Sequence, residues 1–566
     1  MNKYAIGLDF GTNSCRSLIV NIENGREIAS HVFNYPTGDA GVIIDKNDTN
    51  LARQNPADYI EGIEIIVKEA ITKAKKSISD FDAKDIISIG VDTTGSSPMP
   101  VDADGNPLCF KNEFKTNNAS YVWLWKDHTS FEEAAEITKL ASEIRPNYLS
   151  KIGGVYSSEW FWSKILHCKN TAPEVYNEAH SWIEICDWIT GHLIGDINPI
   201  TVKRSVCAAG HKAMYNDDWN GLPDSEFLNT LSPNFGDLRN RLYDKAYSSE
   251  TLAGYLSKDW AEKLGLTSMV AVAVGAFDAH MGAVGAGISE GTLVKILGTS
   301  TCDIMVTNSK QKINDIPGVC GIVRNSVIEN YYGIEAGQSA VGDIFLWFVN
   351  NFVPEKYGST LDEKFVNLEN EASKLLPGET GLLALDWNNG NRTVLVDVRL
   401  TGLILGQTLH TQPHEIYRTL IEATAFGALK IIDRIEDNEV RINDIVNCGG
   451  LAIKNKLLMQ IYADVTNRPM KVSKSEQTPA LGAAIFSTVA AGNNNGGYDK
   501  IDNAIKSMTG VDKVYHPIQE NVEVYKKLYT LYVQLHDSFG TKEWNGNLFN
   551  VMKDLLKIKN ETREKN

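Results

Sequence analysis

Three stretches of the chain end an apolar run with a glycine set beside an aspartate or hydroxyls. In YAIGLDFGTNS, Asp9 precedes Gly11, Thr12 and Asn13; in IISIGVDTTGSS, Asp92, Thr93 and Thr94 precede Gly95; in TLVKILGTST, Gly298 is followed by Thr299, Ser300 and Thr301. A glycine at a strand end lets backbone amides approach a phosphate with no side chain in the way, and an aspartate beside it can hold hydrated magnesium. A strand, an aspartate and a glycine can also be a plain turn, but three such ends could converge on one polyphosphate. A fourth segment, NCGGLAIKN, carries Gly449, Gly450 and Asn455 between a strand and a helix. There a base or ribose could lie against backbone, or the glycines could serve only a tight connection. Neither a GxxxxGK[ST] loop nor a GxGxxG after a strand is present, so another scaffold must hold the nucleotide.

Such residues need strands to aim them. YAIGLDF and SCRSLIVNI flank Gly11 and Thr12, and Asn24-Gly25 turns the chain into REIASHVF, so it opens as a meander. Asn55 and Pro56 read as cap and first-turn proline of a helix whose Ile60, Ile63, Ile66, Val67 and Ile71 share one face. The strand IISIGVDTT completes the start of an α/β unit with a mixed sheet. GTLVKILGTSTCDIMV repeats the opening, Gly298-Thr299 matching Gly11-Thr12 and Cys302 matching Cys15, and EIYRTLIEATAFGALKIID, DIVNCGG and RPMKVS continue the α/β succession. We read a duplicated domain, about 1–287 and about 288–566, with a Trp- and Tyr-rich insertion at about 105–260 that carries substrate contacts. After about Gly510 the chain reads as a charged helical tail whose end, KNETREKN, should fray.

A chain of 566 residues exceeds what one core supports, so two domains with a cleft between them are expected. The formal net charge of −16 argues against nucleic-acid and anionic-membrane partners; neutral donors and magnesium would have to hold an anion here. Eight scattered cysteines without metal-ligand spacing, no secretory signature in MNKYAIGLDFGT and no apolar run long enough to span a bilayer predict a cytoplasmic protein with reduced thiols.

Together with the phosphate loops, IGGVYSSEWFWSKILH, SWIEICDWITGHL, AAGHKAMY, GAFDAHMGAVGAG, GIEAGQSAVGDIFLWF and DWNNGNRTVLVDVRLTGLILG make the whole chain resemble the FGGY carbohydrate kinases. The resemblance implies an α/β fold of two actin- and Hsp70-like (ribonuclease H-like) domains, nucleotide and sugar meeting in the cleft, and ATP and Mg2+ as cofactors. It implies phosphorylation of a small ketopentose, ribulose first, and leaves a homodimer open. Asp278 of GAFDAHMGAVGAG takes the place of the family's catalytic base, the carboxylate that accepts the attacking hydroxyl's proton. It could also cap the helix that follows, and a helix N-terminus favours ionised carboxylate, so we expect a base charged at neutral pH. Magnesium is expected on Asp9 and Asp278. The implied sugar contacts are Ser96, Trp125, Asp127, Lys212, Asp278 and Glu335; the implied nucleotide contacts are Asp9, Gly11, Thr12, Asn13, Thr93, Thr94, Gly298, Thr299, Ser300, Gly449, Gly450 and Asn455. Without the resemblance, Lys212 would read as solvated, Trp125 as a core aromatic and Glu335 as the partner of a nearby base. Glycerol kinase-like members carry an Arg-Glu pair where this chain reads GSSPMPVDADG, which makes glycerol a poor substrate.

Two alternatives stay open at this level. Other pentuloses, D-ribulose or xylulose, differ from the favoured substrate only in the face a hydroxyl occupies. An actin- or chaperone-like ATPase would share the DFGT-type loops and turn over ATP without regard to sugar.

Overall fold

The chain's opening run, Tyr4–Phe10 (β1), is buried along its whole length, as a strand covered on both faces must be. The structure, a computed structural model, describes residues 2–310 and 313–564. β1 pairs antiparallel with Ser14–Asn21 (β2), and β2 with Glu27–Asn34 (β3). The Asn55 side chain accepts the Ala57 N–H and Pro56 opens the helix Pro56–Ser77 (α1), which returns the chain to Ile86–Thr93 (β4), parallel to β1. Alternation along β1 sends Tyr4, Ile6, Leu8 and Phe10 into one core with Ile63, Ile66, Val67 and Ile71 of α1. Each such side chain contributes about 1.5–3 kcal/mol. The opposite face of β1 carries Ala5, Gly7 and Asp9.

Beyond β4 the chain leaves the sheet and builds a separate core around Trp123, Trp162, Trp182 and Tyr156. This region includes Phe161–Thr171 (α2), Ser181–Glu184 (β5) and Val206–Lys212 (α3). Trp160, Phe161 and Trp162 all belong to that core. The chain then returns through Leu252–Tyr255 (β6), Ala271–Ala273 (β7) and Ala276–Phe277 (β8) to the helix Asp278–Gly285 (α4). The sheet order is β6-β7-β4-β1-β2-β3, with β8 beside β4.

The second half repeats this plan. Thr292–Leu297 (β9) and Thr301–Asn308 (β10) form the hairpin; Gly321–Arg324 (β11) and Tyr331–Ala336 (β12) follow. The long helix Pro413–Glu436 (α5) leads to Asp444–Cys448 (β13), parallel to β9, then Met470–Ser473 (β14), the helix Thr478–Ala491 (α6) and Val511–Tyr515 (β15). The order is β11-β12-β10-β9-β13-β14-β15. Thus β12-β10-β9-β13-β14 reproduces β3-β2-β1-β4-β7, a duplicated ribonuclease H-like sheet. The hairpins differ in one respect: Cys15 lies opposite Phe10, whereas Cys302 lies opposite Ile296, because the second loop is one residue shorter. Cys302 therefore does not occupy the place of Cys15.

Helices α4 and α6 cross between the sheets. By sequence α6 belongs to the second half, yet it lies on β1 and β4. A Cβ on Gly7 would sit 1.7 Å from the Ala480 carbonyl oxygen, and one on Gly90 1.9 Å from that of Ala483. Where α6 meets α4, a Cβ on Gly482 would sit 1.8 Å from the Met281 carbonyl oxygen. Any side chain there would part the two halves.

As far as Glu564 the end of the chain is folded, where fraying was expected. Gln519–Gly540 (α7) and Val551–Arg563 (α8) pack on the second half's core, and the buried Thr562 donates its hydroxyl to Pro377 O at 3.2 Å. Lys565 and Asn566 lie outside the described residues. Among the described residues no helix is long and apolar enough to cross a membrane, and the eight cysteines are unpaired.

Candidate active site

Strand register places three carboxylates together. Asp9 of β1 lies opposite Asp92 of the parallel β4, and the pair of Ala276 with Asp92 and Phe277 with Thr93 sets Asp278 one step further along β8. All three stand at C-terminal strand ends, where open α/β sheets form their ligand crevices. Asp9 is paired with Arg16 at 3.0 Å. Both Asp92 carboxylate oxygens are buried without a protein donor, their neighbour being Asp9's own carboxylate. Burial, then Asp9 and Asp278, push Asp92 well above the ordinary aspartate range. Burial also raises Asp9, against Arg16. The unpartnered Asp92 oxygens beside the Asp9 carboxylate could meet a divalent cation, whose charge would offset the repulsion between them.

Asp278 is the first residue of α4 and accepts the Ala279 N–H at 2.7 Å. The helix N-terminus alone does not set the ionisation of Asp278. Burial, then Asp9, raise Asp278 to about 7, and the helix N–H only partly offsets them. A helix terminus is worth about 0.3–1 kcal/mol at an exposed site, less than losing water inside a cleft costs a charge. A carboxyl of this kind sits where a general base works best at neutral pH.

The glycine loops separate into those the fold requires and those it leaves open. Gly449 has φ +90° and a Cβ there would lie 2.5 Å from the Leu297 carbonyl oxygen, so the connection itself demands glycine. Gly450 has no heavy atom within 4 Å of such a Cβ, Gly298 only Ser300 O at 3.8 Å and Gly11 only Ser14 O at 3.4 Å. At these three positions a side chain would fill space over the loop rather than collide with the protein, which suits a phosphate or ribose against the backbone. Thr299 and Ser300 lie beside Gly298, Thr299 exposed and its carbonyl taken by Val341 N–H at 2.8 Å. Asn13 is exposed and donates to Ala40 O at 2.6 Å, and the Thr12 carbonyl accepts from Gln54 Nε2 at 2.7 Å.

Some expected nucleotide contacts are structural instead. Thr93 is fully buried and its hydroxyl donates to Thr94 O at 3.0 Å; Thr94 Oγ1 meets Ser97 Oγ at 3.3 Å. These hydroxyls build the turn and face inward. Asn455 caps the next helix, accepting from Leu458 N at 2.8 Å, and donates to Tyr417 at 3.1 Å.

On the other side of the crevice, Lys212 at the end of α3 reaches across to Glu335 of β12, at 2.9 and 3.2 Å. Gly210 and Gly321 allow α3 to approach β11 this closely. His211 Nδ1 at 3.3 Å, His280 Nε2 at 3.6 Å and Arg392 at 3.6 Å surround the same carboxylate. Although burial acts to raise it, Lys212 and its companions hold Glu335 well below the carboxylate range, while burial keeps both histidines neutral. Two histidines and a glutamate can form a metal cage, but Lys212 and Arg392 already neutralise Glu335, so a cation would face two fixed positive charges. Sequence reasoning did not single out His211, His280 or Arg392 for this site, because only the fold brings them to Glu335.

Trp125 joins the two sets. Its indole N–H donates to Thr12 Oγ1 at 3.0 Å and its backbone N–H to Ser97 Oγ at 3.1 Å. Ser96 is buried in the turn beside it. Asp127 departs from expectation: its fully buried carboxylate accepts from Ala52 N at 2.7 Å, from Thr129 Oγ1 at 2.6 Å and from Arg53, which stacks on Trp123. It has no capacity left for a sugar and anchors the Trp125 segment instead.

The profile of the N-terminal domain of the FGGY family of carbohydrate kinases matches residues 4–285, and that of the C-terminal domain residues 293–491. The chain is 44% identical to a ribulokinase of Geobacillus thermodenitrificans over 96% of this chain and 95% of that one. It is also 44% identical to a ribulokinase of Halalkalibacterium halodurans, covering 95% of each. Among solved structures, a ligand-bound xylulose kinase from Lactobacillus acidophilus superposes with TM-score 0.76 at 20% identity, over 95% of this chain and 99% of that one. A Plasmodium falciparum glycerol kinase with ADP gives 0.74 at 18%, over 94% and 98%. At such identities these two show the fold alone. Sequence match along both halves and duplicated sheets agree, and the chain belongs to the FGGY family of carbohydrate kinases.

Proposed function

We infer that the chain is a ribulokinase, transferring the γ-phosphoryl group of ATP to ribulose. The observation that carries this reading is identity of 41–44% to five proteins of that name, each aligned over 95% or more of this chain. L-ribulose and its 5-hydroxyl are the finer proposal.

In this reading the loops at Gly11, Gly298 and Gly450 receive the nucleotide, and Asp9, Asp92 and Asp278 face its phosphates. Magnesium, when bound, would neutralise phosphate charge. Trp125, Lys212 and Glu335 would orient the sugar, with the backbone of the Ser96 turn beside them, since the Ser96 hydroxyl is given to Glu184. A neutral ketopentose offers only hydroxyls and a carbonyl, and a buried lysine and glutamate supply one donor and one acceptor of fixed direction. The Lys212–Glu335 pair spans both halves, so the sugar would meet its full set of partners only when the halves are together. Asp278, partly exposed at the crevice, takes the proton of the attacking hydroxyl. Closure keeps water, the competing acceptor, away.

Phosphorus–carbon correlation NMR on the product of purified protein, ATP and L-ribulose tests the finer reading. A phosphate ester on the terminal carbon farthest from the carbonyl is expected; an ester elsewhere, or inorganic phosphate alone, contradicts it.

A further inference from the structure

Lys164 and Glu184 are buried charged side chains to which the proposed reaction gives no part. Both end on the segments that carry Ser96 and Trp125. Lys164, on α2, donates to three backbone carbonyls: Ser96 O at 2.8 Å, Leu124 O at 2.8 Å and Trp123 O at 3.4 Å. Glu184, the last residue of β5, accepts the Ser97 N–H at 2.7 Å and the Ser96 hydroxyl. Trp125 in turn donates its backbone N–H to Ser97 Oγ. The Ser96 turn and the 123–125 segment are therefore tied to each other and to this one pair.

For shape alone two buried opposite charges are a poor device, since well-packed apolar side chains hold a core as well. What apolar side chains cannot do is aim peptide planes. A buried carbonyl must find a donor, and a single ammonium serving Ser96 O and Leu124 O fixes the orientation of both peptides at once. Glu184 does the same for the Ser96 hydroxyl and the Ser97 amide. With Lys164 below and Glu184 beside it, the turn has little freedom to rotate.

We propose that Lys164 and Glu184 are positioning residues for the sugar: they set the Ser96 turn and the Trp125 segment so that both meet the ketopentose, and they touch neither sugar nor nucleotide. The proposal rests on the reading that Ser96 and Trp125 line the sugar site. It makes the pair matter for one substrate and not the other, which a merely structural pair would not do.

The test uses steady-state rates with ribulose varied at saturating Mg-ATP, and with ATP varied at saturating ribulose, together with Tm. Glu184→Gln keeps one acceptor oxygen, which can take the Ser97 N–H, while its NH2 can donate to the Ser96 hydroxyl oxygen, and is expected within about threefold of wild type, since charge is not what aims the turn. Glu184→Ala removes the acceptors, and Lys164→Met/Glu184→Leu replaces the pair with apolar side chains. Both are expected to raise the KM for ribulose about 10- to 100-fold, the scale of a misplaced contact, with the KM for ATP unchanged. A folded Glu184→Ala or double variant with wild-type KM for ribulose overturns the proposal, and so does a parallel rise in both KM values. Should neither replacement fold, Lys164→Arg serves, because a planar guanidinium cannot place one nitrogen among three carbonyls: ribulose KM raised alone supports the proposal, and unchanged KM overturns it. A wild-type protein without ribulose-dependent turnover would overturn instead the reading on which the proposal rests.

Discussion

Asp278→Asn should slow the reaction and steady the fold. The carboxyl is moved by burial and by Asp9 from the ordinary 3.8 to about 7, which corresponds to roughly 4 kcal/mol of disfavoured charge in the folded state. Because the folded value lies above the unfolded one, the group's contribution to stability is fully present below about pH 4 and is lost as pH rises through about 7. Asparagine does not titrate, so the variant's advantage in Tm should be near zero at pH 4, grow between pH 4 and 7, and level off at several degrees by pH 8. Activity should move the other way. A general base contributes about 10²- to 10⁴-fold, so kcat at pH 8 should fall at least 100-fold while ATP binding persists. In the wild type, kcat/KM for the sugar should fall about tenfold per pH unit below pH 7, as the base takes up its proton, and the variant should lose that limb. Differential scanning calorimetry and an ADP-coupled assay across pH 5 to 9 supply both readouts. An Asp278→Asn protein within tenfold of wild-type kcat, or less stable than wild type at pH 8, would refute the assignment.

Three further outcomes follow from the geometry. Asp92→Asn should raise the free magnesium needed for half-maximal rate about 10-fold or more, the usual cost of weakening a metal's surroundings; an unchanged magnesium titration would exclude Asp92 from the site. Glu335→Gln leaves Lys212 buried without a full counter-charge and should cost about 3 kcal/mol of stability along with sugar affinity, visible as a lowered urea midpoint and a raised KM for ribulose. Asp127→Asn should lower Tm, because Arg53 loses its buried partner, yet leave the folded fraction's kcat and KM within about threefold; a selective loss of sugar binding would restore Asp127 as a contact.

What the sequence showed and what it hid divide on physical lines. Asp9 and Asp92 were legible because strand-end aspartates before glycine are local patterns, and the Asn55-Pro56 cap and the repeated hairpin were legible for the same reason. Their alignment, Asp9 opposite Asp92, needs the parallel pairing of two strands, Tyr4–Phe10 and Ile86–Thr93, that are far apart in the chain, which only the fold supplies. Asp127 misled because a carboxylate beside Trp125 in WLWKDHT looks like a binding loop, while the arginine that consumes it, Arg53, is remote in sequence. Asn455 was legible in principle: an asparagine ahead of KLLMQIY is an ordinary helix cap. For Asp278 the helix terminus is visible in sequence, while the burial and the Asp9 carboxylate that act against it are not. Lys164 and Glu184 were hidden most deeply, since their partners are mainly backbone atoms, which no residue type announces.

The most direct test of the account is ADP release by the purified protein with ATP and magnesium, measured against L-ribulose, D-ribulose, D-xylulose, glycerol and no sugar. ADP release that depends on ribulose, is fastest with the L isomer and stays at the sugar-free level with glycerol is the predicted result. ATP turnover indifferent to every sugar would contradict the account.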